Sequence, residues 1–154
     1  MTYAAIRIRG TVNVNPNIKK TLQLLNLSKV NHCVLLEEKP NIKGMLQVAK
    51  DYITWGELEK DALTSLITQR GKLEGDKGLT EDYLKSATSY SNIDKLSQAI
   101  IDNKFKYKDI PKVKRIFRLN PPKKGYRGIK KSFVNKGALG YRGKEINKLI
   151  NRMI

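Results

Sequence analysis

The positive charge of this chain is concentrated in its last third. Residues 104–154 contain seventeen lysines and arginines and two acidic residues, a net charge of +15, whereas residues 1–103 contain fourteen basic and twelve acidic residues, a net charge of +2. A segment with this charge density either repels itself or meets a polyanion. The sequence therefore predicts a core made mainly from the less charged residues, with a basic arm appended to it.

Aromatic residues and glycines interrupt the basic segment. Phe117, Tyr126, Phe133 and Tyr141 lie among its lysines and arginines, together with five glycines. Basic side chains on mobile backbone suit phosphates, and planar rings suit unstacked bases or sugars. The segment is therefore predicted to bind nucleic acid. The alternatives are contact with an acidic protein or a membrane surface, and an inert solvated tail; a membrane is disfavoured because the segment has no long amphipathic helix.

The candidate contacts are side chains of this segment together with two lysines that flank the start of a predicted helix at Asn41. A phosphate near that helix start would gain from free backbone N–H groups and from the helix dipole. A solvated pair of lysines is the alternative there. The full predicted set is Lys39, Lys43, Lys112, Lys114, Arg115, Arg118, Lys123, Lys124, Tyr126, Arg127, Lys130, Lys131, Phe133, Lys136, Tyr141, Arg142 and Lys144.

The first 56 residues show the periods of a β-α-β-α-β unit. Ala4, Ile6 and Ile8 recur at every second position, as they do on one face of a strand. Two later runs, over 32–36 and 52–55, are apolar or rich in β-branched and aromatic residues, which is typical of strands. Apolar residues with helical spacing precede each of these runs. The pattern predicts an α+β fold with two helices on a small sheet. Strands are predicted over 3–9, 32–36 and 52–55, and helices from Pro16 and from Asn41.

The rest of the chain predicts two further parts. Apolar positions with helical spacing recur through residues 57–103, which indicates a helical extension packed on or beside the core. The basic part is expected to contain a strand within 112–119, irregular backbone over 120–143 that a partner orders, and a helix over 145–153. We therefore predict three parts: a core over 1–56, a helical extension over 57–103 and a basic extension over 104–154.

No catalytic or metal site is indicated by the sequence. His32 and Cys33 are the only histidine and cysteine, and adjacent side chains on a strand point to opposite faces, so they form neither a dyad nor a ligand cluster. The glycine pattern at Gly137, Gly140 and Gly143 lacks the Lys-Ser/Thr of a phosphate-binding loop. No cofactor is predicted. The rival functions are an RNA-processing enzyme, which needs a general base or metal-binding acids in a cleft, and a free-standing DNA-compacting protein.

The cellular setting is read from cysteine content and hydropathy. One cysteine allows no internal disulfide, which fits a reducing, cytoplasmic setting. No apolar run approaches the ~20 residues of a membrane span, and no signal peptide opens the chain. We therefore expect a cytoplasmic protein that does not span a membrane.

Several short runs, in order along the chain, resemble one protein family. They are Asn31–Glu38 (NHCVLLEE), Ile42–Met45 (IKGM), Tyr52–Glu57 (YITWGE), Leu73–Asp76 (LEGD), Leu119–Gly125 (LNPPKKG), Gly137–Gly140 (GALG) and Ile146–Arg152 (INKLINR). Each run is short, but the ordered set covers the whole chain. It resembles the large-subunit ribosomal protein family called L-thirty, in its longer archaeal form, to which the eukaryotic L-seven is related.

The resemblance implies a fold, a role and partners. The implied core is a three-stranded antiparallel sheet with two helices on one face, the ferredoxin-like arrangement. The implied role is structural: binding large-subunit rRNA close to 5S rRNA, beside neighbouring ribosomal proteins, with no catalysis and no small-molecule substrate. Within the family's pattern, Lys43 and the stretch from Lys123 to Arg142 lie against RNA.

Overall fold

A mixed β-sheet runs through the molecule, whose computed structural model describes residues 2–10 and 12–154. The order across the sheet is β4-β2-β1-β3-β5. β1 pairs antiparallel with β2 and β3, β4 pairs antiparallel with β2, and β5 pairs parallel with β3. The strands are β1 (Thr2–Arg7), β2 (His32–Glu37), β3 (Ile53–Glu57), β4 (Ile116–Arg118) and β5 (Gly140–Tyr141). The helices are α1 (Pro16–Leu24), α2 (Pro40–Val48), α3 (Lys60–Arg70), α4 (Glu81–Ala87), α5 (Ile93–Ile101) and α6 (Glu145–Met153).

The α+β class is confirmed, but the prediction of a three-stranded sheet is wrong. The three predicted strands form the antiparallel centre, and the basic segment adds one short strand at each edge, β4 on β2 and β5 on β3. Edge strands expose unpaired backbone groups, and here distant chain segments return to satisfy part of them. A strand of two or three residues has no period that a sequence pattern can reveal. The stretch over 120–143, which was expected to be irregular, therefore contains β5 near its end.

Both faces of the sheet are covered by helices. Tyr3 and Ala5 lie in an apolar cluster with α1 and α2, whereas Ala4 and Ile6 lie in a second cluster with α3, α5 and α6. All of β1 is buried, because its alternate side chains enter one core or the other. The expectation of helices on one face is therefore also incomplete: residues beyond β3 build a second helical layer.

Arg7 lies on the same face of β1 as Tyr3 and Ala5, the face covered by α1 and α2. Its side chain is buried. Its Nη1 donates to the carbonyl oxygen of Leu27 at 2.8 Å and its Nε to that of Arg9 at 2.9 Å. Burial lowers its pKa from the usual arginine value. Arg7 is therefore a structural side chain that joins the end of β1 to the turn before β2.

The basic segment supplies much of the second core. Phe117 of β4 is fully buried, and its ring centroid lies 5.0 Å from that of Tyr107. Helix α6 turns one side inward against α3 and β3. The buried side chains on that side are Ile146, Leu149, Ile150 and Met153. Residues 57–103 and 104–154 therefore share one apolar core, and the division of the chain into a core over 1–56 and two extensions stays a prediction.

Helix α6 begins where β3 passes very close to it. A Cβ added to Gly56 would lie 1.9 Å from the carbonyl oxygen of Gly143, so only glycine fits there. Nearby, the side chain of Asn147 accepts from the N–H of Glu59 at 2.8 Å and donates to the carbonyl oxygen of Glu57 at 3.1 Å. These contacts tie the start of α3 to α6, so the last helix is part of the framework.

Cys33 is a buried free thiol whose pKa is raised to about 12 by burial. A thiol in that state is a poor nucleophile at neutral pH. Over the described residues, no group of histidine, cysteine and acidic side chains is arranged to hold a metal ion. No helix in this part of the chain combines the length and apolar content needed to cross a membrane.

Candidate nucleic-acid interface

Residues 120–139 form what we call the basic loop, which lies at the end of the sheet where β2 and β3 begin. The hydroxyl of Tyr126 donates to Oδ1 of Asn31 at 2.8 Å, just before β2. Its ring packs with Ile8 and Leu139, beyond the end of β1. Burial raises the pKa of Tyr126 to about 12. The structure thus places this predicted stacking residue against the protein, where it fastens the loop to the sheet.

Arg152 closes the first turn of the basic loop. Its Nε and Nη2 donate to the carbonyl oxygen of Lys123 at 2.9 and 2.7 Å, and Nη2 also donates to that of Gly125 at 2.5 Å. The side chains of Lys123 and Lys124 remain exposed. Sequence reasoning missed Arg152 because a basic residue in the last turn of a helix has an ordinary explanation in the helix dipole.

Arg142 closes the other side of the loop. Its Nε donates to Oγ1 of Thr54 at 2.8 Å and its Nη2 to the carbonyl oxygen of Ala138 at 2.7 Å. The guanidinium also lies 5.1 Å from the centre of the Phe133 ring. Burial lowers its pKa to about 10, so it is still charged at neutral pH. Predicted as an RNA contact, Arg142 faces inward and holds the loop in shape.

These anchors leave an ordered loop with a strongly basic outer surface. None of its outward basic side chains forms an ion pair with a described residue. Two apolar side chains, Ile129 and Val134, are also exposed there, and Phe133 is partly exposed. Such a surface can place several cations against a phosphate backbone while apolar groups contact bases or sugars. The outward cations are Lys123, Lys124, Arg127, Lys130, Lys131 and Lys136.

A second basic surface adjoins β4 at the same end of the sheet. We call it the β4 groove; it has a volume of about 650 Å³. Burial lowers the pKa of His32, assisted by the charges of Arg118, Lys29 and Arg7, so this histidine is neutral at pH 7. Sequence reasoning missed Lys29 and His32, since only the pairing of β4 with β2 brings them beside Arg118. The lining residues are Asn26, Ser28, Lys29, His32, Lys114, Arg115, Ile116 and Arg118.

Two of the groove's cations share an acidic partner. The ammonium group of Lys114 lies 2.5 Å from the Asp76 carboxylate, and Nη1 of Arg118 lies 3.4 Å from the same oxygen. The hydrogen bond from Lys114 is the main cause that lowers the pKa of Asp76. Exposed ion pairs of this kind are screened and exchange partners readily. Arg115 is exposed and, unlike Arg118, forms no ion pair with a described residue.

The two lysines at the start of α2 lie apart from both surfaces. They lie at the opposite end of β2 from the basic loop. A strand of six residues is about 20 Å long, so the two sites are separated by about that distance. The ammonium groups of Lys39 and Lys43 lie 3.0 Å from Glu37 and Glu38 respectively. No side chain of a described residue caps the first turn of α2. The N–H groups of that turn thus remain available, but the structure does not bring these lysines together with the basic loop.

The other predicted residues lie around the same framework. Lys112 is exposed at a left-handed position with φ of 59°. Tyr141 is on β5, where its hydroxyl donates to the carboxylate of Glu57. Lys144 is exposed immediately before α6. Tyr141 and Lys144 therefore lie along the β3 edge, outside the basic loop.

The family model and the individual relatives that match this chain all point to one protein family. The family described as "Ribosomal protein L30p/L7e" matches residues 3–53, which contain β2, nearly all of β1 and the first residue of β3. The chain is 49% identical over 152 residues to the "Large ribosomal subunit protein uL30" of Methanosphaera stadtmanae, with 99% of each chain covered. Proteins of the same name from Methanocorpusculum labreanum and Methanoculleus marisnigri are 44% and 43% identical, each over 98% of this chain and 99% of theirs.

This similarity extends through the basic loop and α6 as well as the central sheet. The alignment at 49% identity covers 99% of both chains and so includes the residues beyond the central sheet. The resemblance noted from the sequence motifs is therefore confirmed. This chain belongs to the ribosomal protein L30p/L7e family.

Proposed function

We propose that this protein is a structural component of the large ribosomal subunit, in the cytoplasm, that binds and stabilises large-subunit rRNA through the basic end of its sheet. The observation that carries the proposal is the basic loop: internal contacts from Arg142, Arg152 and Tyr126 hold its backbone, while six cations point outward. A pre-ordered loop loses less conformational entropy on binding than a free tail does. Membership of the family confirms that the protein is not an enzyme.

The two basic surfaces suggest a division of labour on RNA. The outward lysines of the basic loop suit phosphates, which attract mobile ammonium groups as point charges. The β4 groove combines amide, hydroxyl and guanidinium donors around a recess, which suits a nucleotide that leaves the helical stack. Phe133 is the aromatic residue of the loop best placed to meet a base, since Tyr126 is turned inward. Placement near 5S rRNA is the finer part of the proposal and rests on the family resemblance.

The direct test is affinity for a structured large-subunit rRNA fragment across a salt series. Replacing Lys130 and Lys131 with Gln should weaken binding at low salt and flatten the slope of log affinity against log salt by about 2, because two phosphate contacts are lost. The matched control replaces Lys85 and Lys95, which are exposed on α4 and α5, with Gln. Equal slopes for the two double variants would contradict the assignment of the basic loop to RNA.

Chemical probing of rRNA in large subunits with and without the protein tests the finer part. Protections adjoining 5S rRNA are expected. Protections confined to rRNA far from 5S would overturn that placement and leave rRNA binding itself intact.

A further inference from the structure

The edge of β2 that faces β4 is only half covered. β4 pairs with His32, Cys33 and Val34. Over the described residues, the remaining half of β2, Leu35–Glu37, pairs only with β1 on its other side. Backbone N–H and C=O groups on that side of an edge strand have no partner in the sheet, and such an edge is a template for an added strand.

This uncovered half of β2 lines an apolar groove of about 540 Å³, which we call the β2 groove. One wall carries Leu24, Ile42 and Met45 from α1 and α2. The other wall carries Phe105 and Tyr107, from the segment after α5. Leu24 is 65% exposed, which is high for a leucine that adjoins other apolar side chains.

The two walls lie on opposite faces of the sheet, and successive side chains of a strand point to these two faces. Leu36 packs toward the α1 and α2 cluster, whereas Leu35 packs toward the opposite cluster. An added strand that continues the line of β4 would likewise direct successive side chains to opposite walls. The groove therefore offers main-chain hydrogen bonds along its floor and an apolar surface for alternate side chains on each side, the arrangement used in strand addition.

The charges around the groove favour an acidic occupant. Lys39, Lys106, Lys108 and Arg115 line it, and among the described residues that line it Glu37 is the only acidic one. Glu37 is already paired with Lys39 at 3.0 Å and with Lys106 at 3.2 Å. RNA is a poor match despite its charge, because phosphates cannot donate hydrogen bonds to a strand edge and the walls are apolar.

We propose that the β2 groove binds an extended segment of a neighbouring protein, apolar at alternate positions and acidic at its flanks, which adds to β2 as an edge strand in line with β4. The inference goes beyond rRNA binding, and peptide binding is measured in the absence of RNA. A suitable probe is the peptide Glu-Val-Thr-Val-Thr-Val-Asp at about 1 mM. Binding is read from backbone amide exchange of the full-length protein, resolved by residue.

Protection is expected within Leu35–Glu37. No protection is expected in α4, because none of its residues lines the groove. A peptide with Lys in place of the two acidic residues should bind about tenfold more weakly, because the rim is basic. A peptide methylated on alternate backbone nitrogens should not bind, because it cannot complete the strand pairing. Absence of protection, or equal binding of the methylated peptide, overturns the proposal.

Two variants locate the site. Leu24→Glu should weaken peptide binding about tenfold or more, since it places a carboxylate in the apolar wall and beside an acidic ligand. Val48→Glu is the matched control: it is 50% exposed on α2 and does not line the groove. Neither variant should change affinity for the rRNA fragment. If Leu24→Glu weakens rRNA binding and the rRNA fragment protects Leu35–Glu37, the groove is an RNA site and the proposal fails.

Discussion

The two faces of the sheet are built from different lengths of sequence. The face covered by α1 and α2 draws its buried residues almost entirely from the first 56 residues, such as Leu22, Leu46 and Trp55. The opposite face is covered by α3, α5 and α6, and its buried residues extend from Ala4 to Met153. The first face forms from neighbouring elements, whereas the second needs both ends of the chain.

This difference explains how so basic a segment can be structural. Within residues 104–154 Phe117 of β4 and the apolar side of α6 enter the second core, while the lysines of the basic loop stay outside. Buried apolar side chains and exposed charged side chains thus lie within a few residues of each other in the same segment. The appended arm expected from composition is, in the structure, a framework with one basic loop attached to it.

The largest effect on stability is expected when residues 104–154 are removed. An appended arm would leave residues 1–103 able to fold. The structure instead predicts that this fragment loses cooperative unfolding, because Phe117 and the inner side of α6 no longer cover the second face. Circular dichroism and urea denaturation measure the outcome. A fragment that unfolds with the same midpoint and cooperativity as the full chain would show that the second face is dispensable.

The substitution Phe117→Ala tests one side chain of the second core. Phe117 is fully buried, so its truncation should reduce the free energy of unfolding by about 3–5 kcal/mol. The control is Val134→Ala in the same basic segment: Val134 is 86% exposed and its change should cost less than about 0.5 kcal/mol. Both values come from urea denaturation. Similar small effects at the two positions would mean that β4 is not part of the core.

The substitution Asn147→Ala tests the junction between α6 and α3. It leaves the N–H of Glu59 and the carbonyl oxygen of Glu57, in partly buried surroundings, without their side-chain partner, which should cost about 1–3 kcal/mol. Asn151→Ala, at an exposed position on the same helix, controls for the change in helix propensity. Equal effects of the two substitutions on the urea midpoint would contradict a structural role for the Asn147 contacts.

The smallest expected effect belongs to Asp76. Its ion pairs with Lys114 and Arg118 lower its pKa, so they contribute stability above the ordinary aspartate pKa of about 3.9 and this contribution is lost as pH falls below that value. The Asp76→Asn variant should therefore lose less stability than the original chain between about pH 5 and pH 3. Because Asp76 is exposed, the difference should be small and should shrink in high salt.

Urea midpoints of the two proteins across this pH range measure the effect. Parallel curves would show that the exposed pairs of the β4 groove contribute nothing to the fold, and that Lys114 and Arg118 are as available to a ligand as the lysines of the basic loop.

The sequence by itself determined the local elements, and it predicts the class of partner. The alternation in residues 3–9 and the helical spacing after Pro16, Asn41 and Glu145 each correspond to an observed strand or helix. Asn15 caps α1 through a hydrogen bond from the N–H of Asn17 at 2.9 Å. These features are local: each depends on side chains a few residues apart, whose periods are visible in the sequence. The charge asymmetry is equally visible, and it points to a polyanion.

Only the tertiary structure decided which basic residues face outward and where the sheet ends. Arg142 and Lys131 look alike in the sequence, yet one binds Thr54 and Ala138 while the other is exposed. The strands β4 and β5 exist because distant segments meet the edges of β2 and β3, and two or three residues carry no period of their own. The physical reason is that an arginine's role and a short strand's pairing are set by groups across space, which a pattern along the chain does not contain.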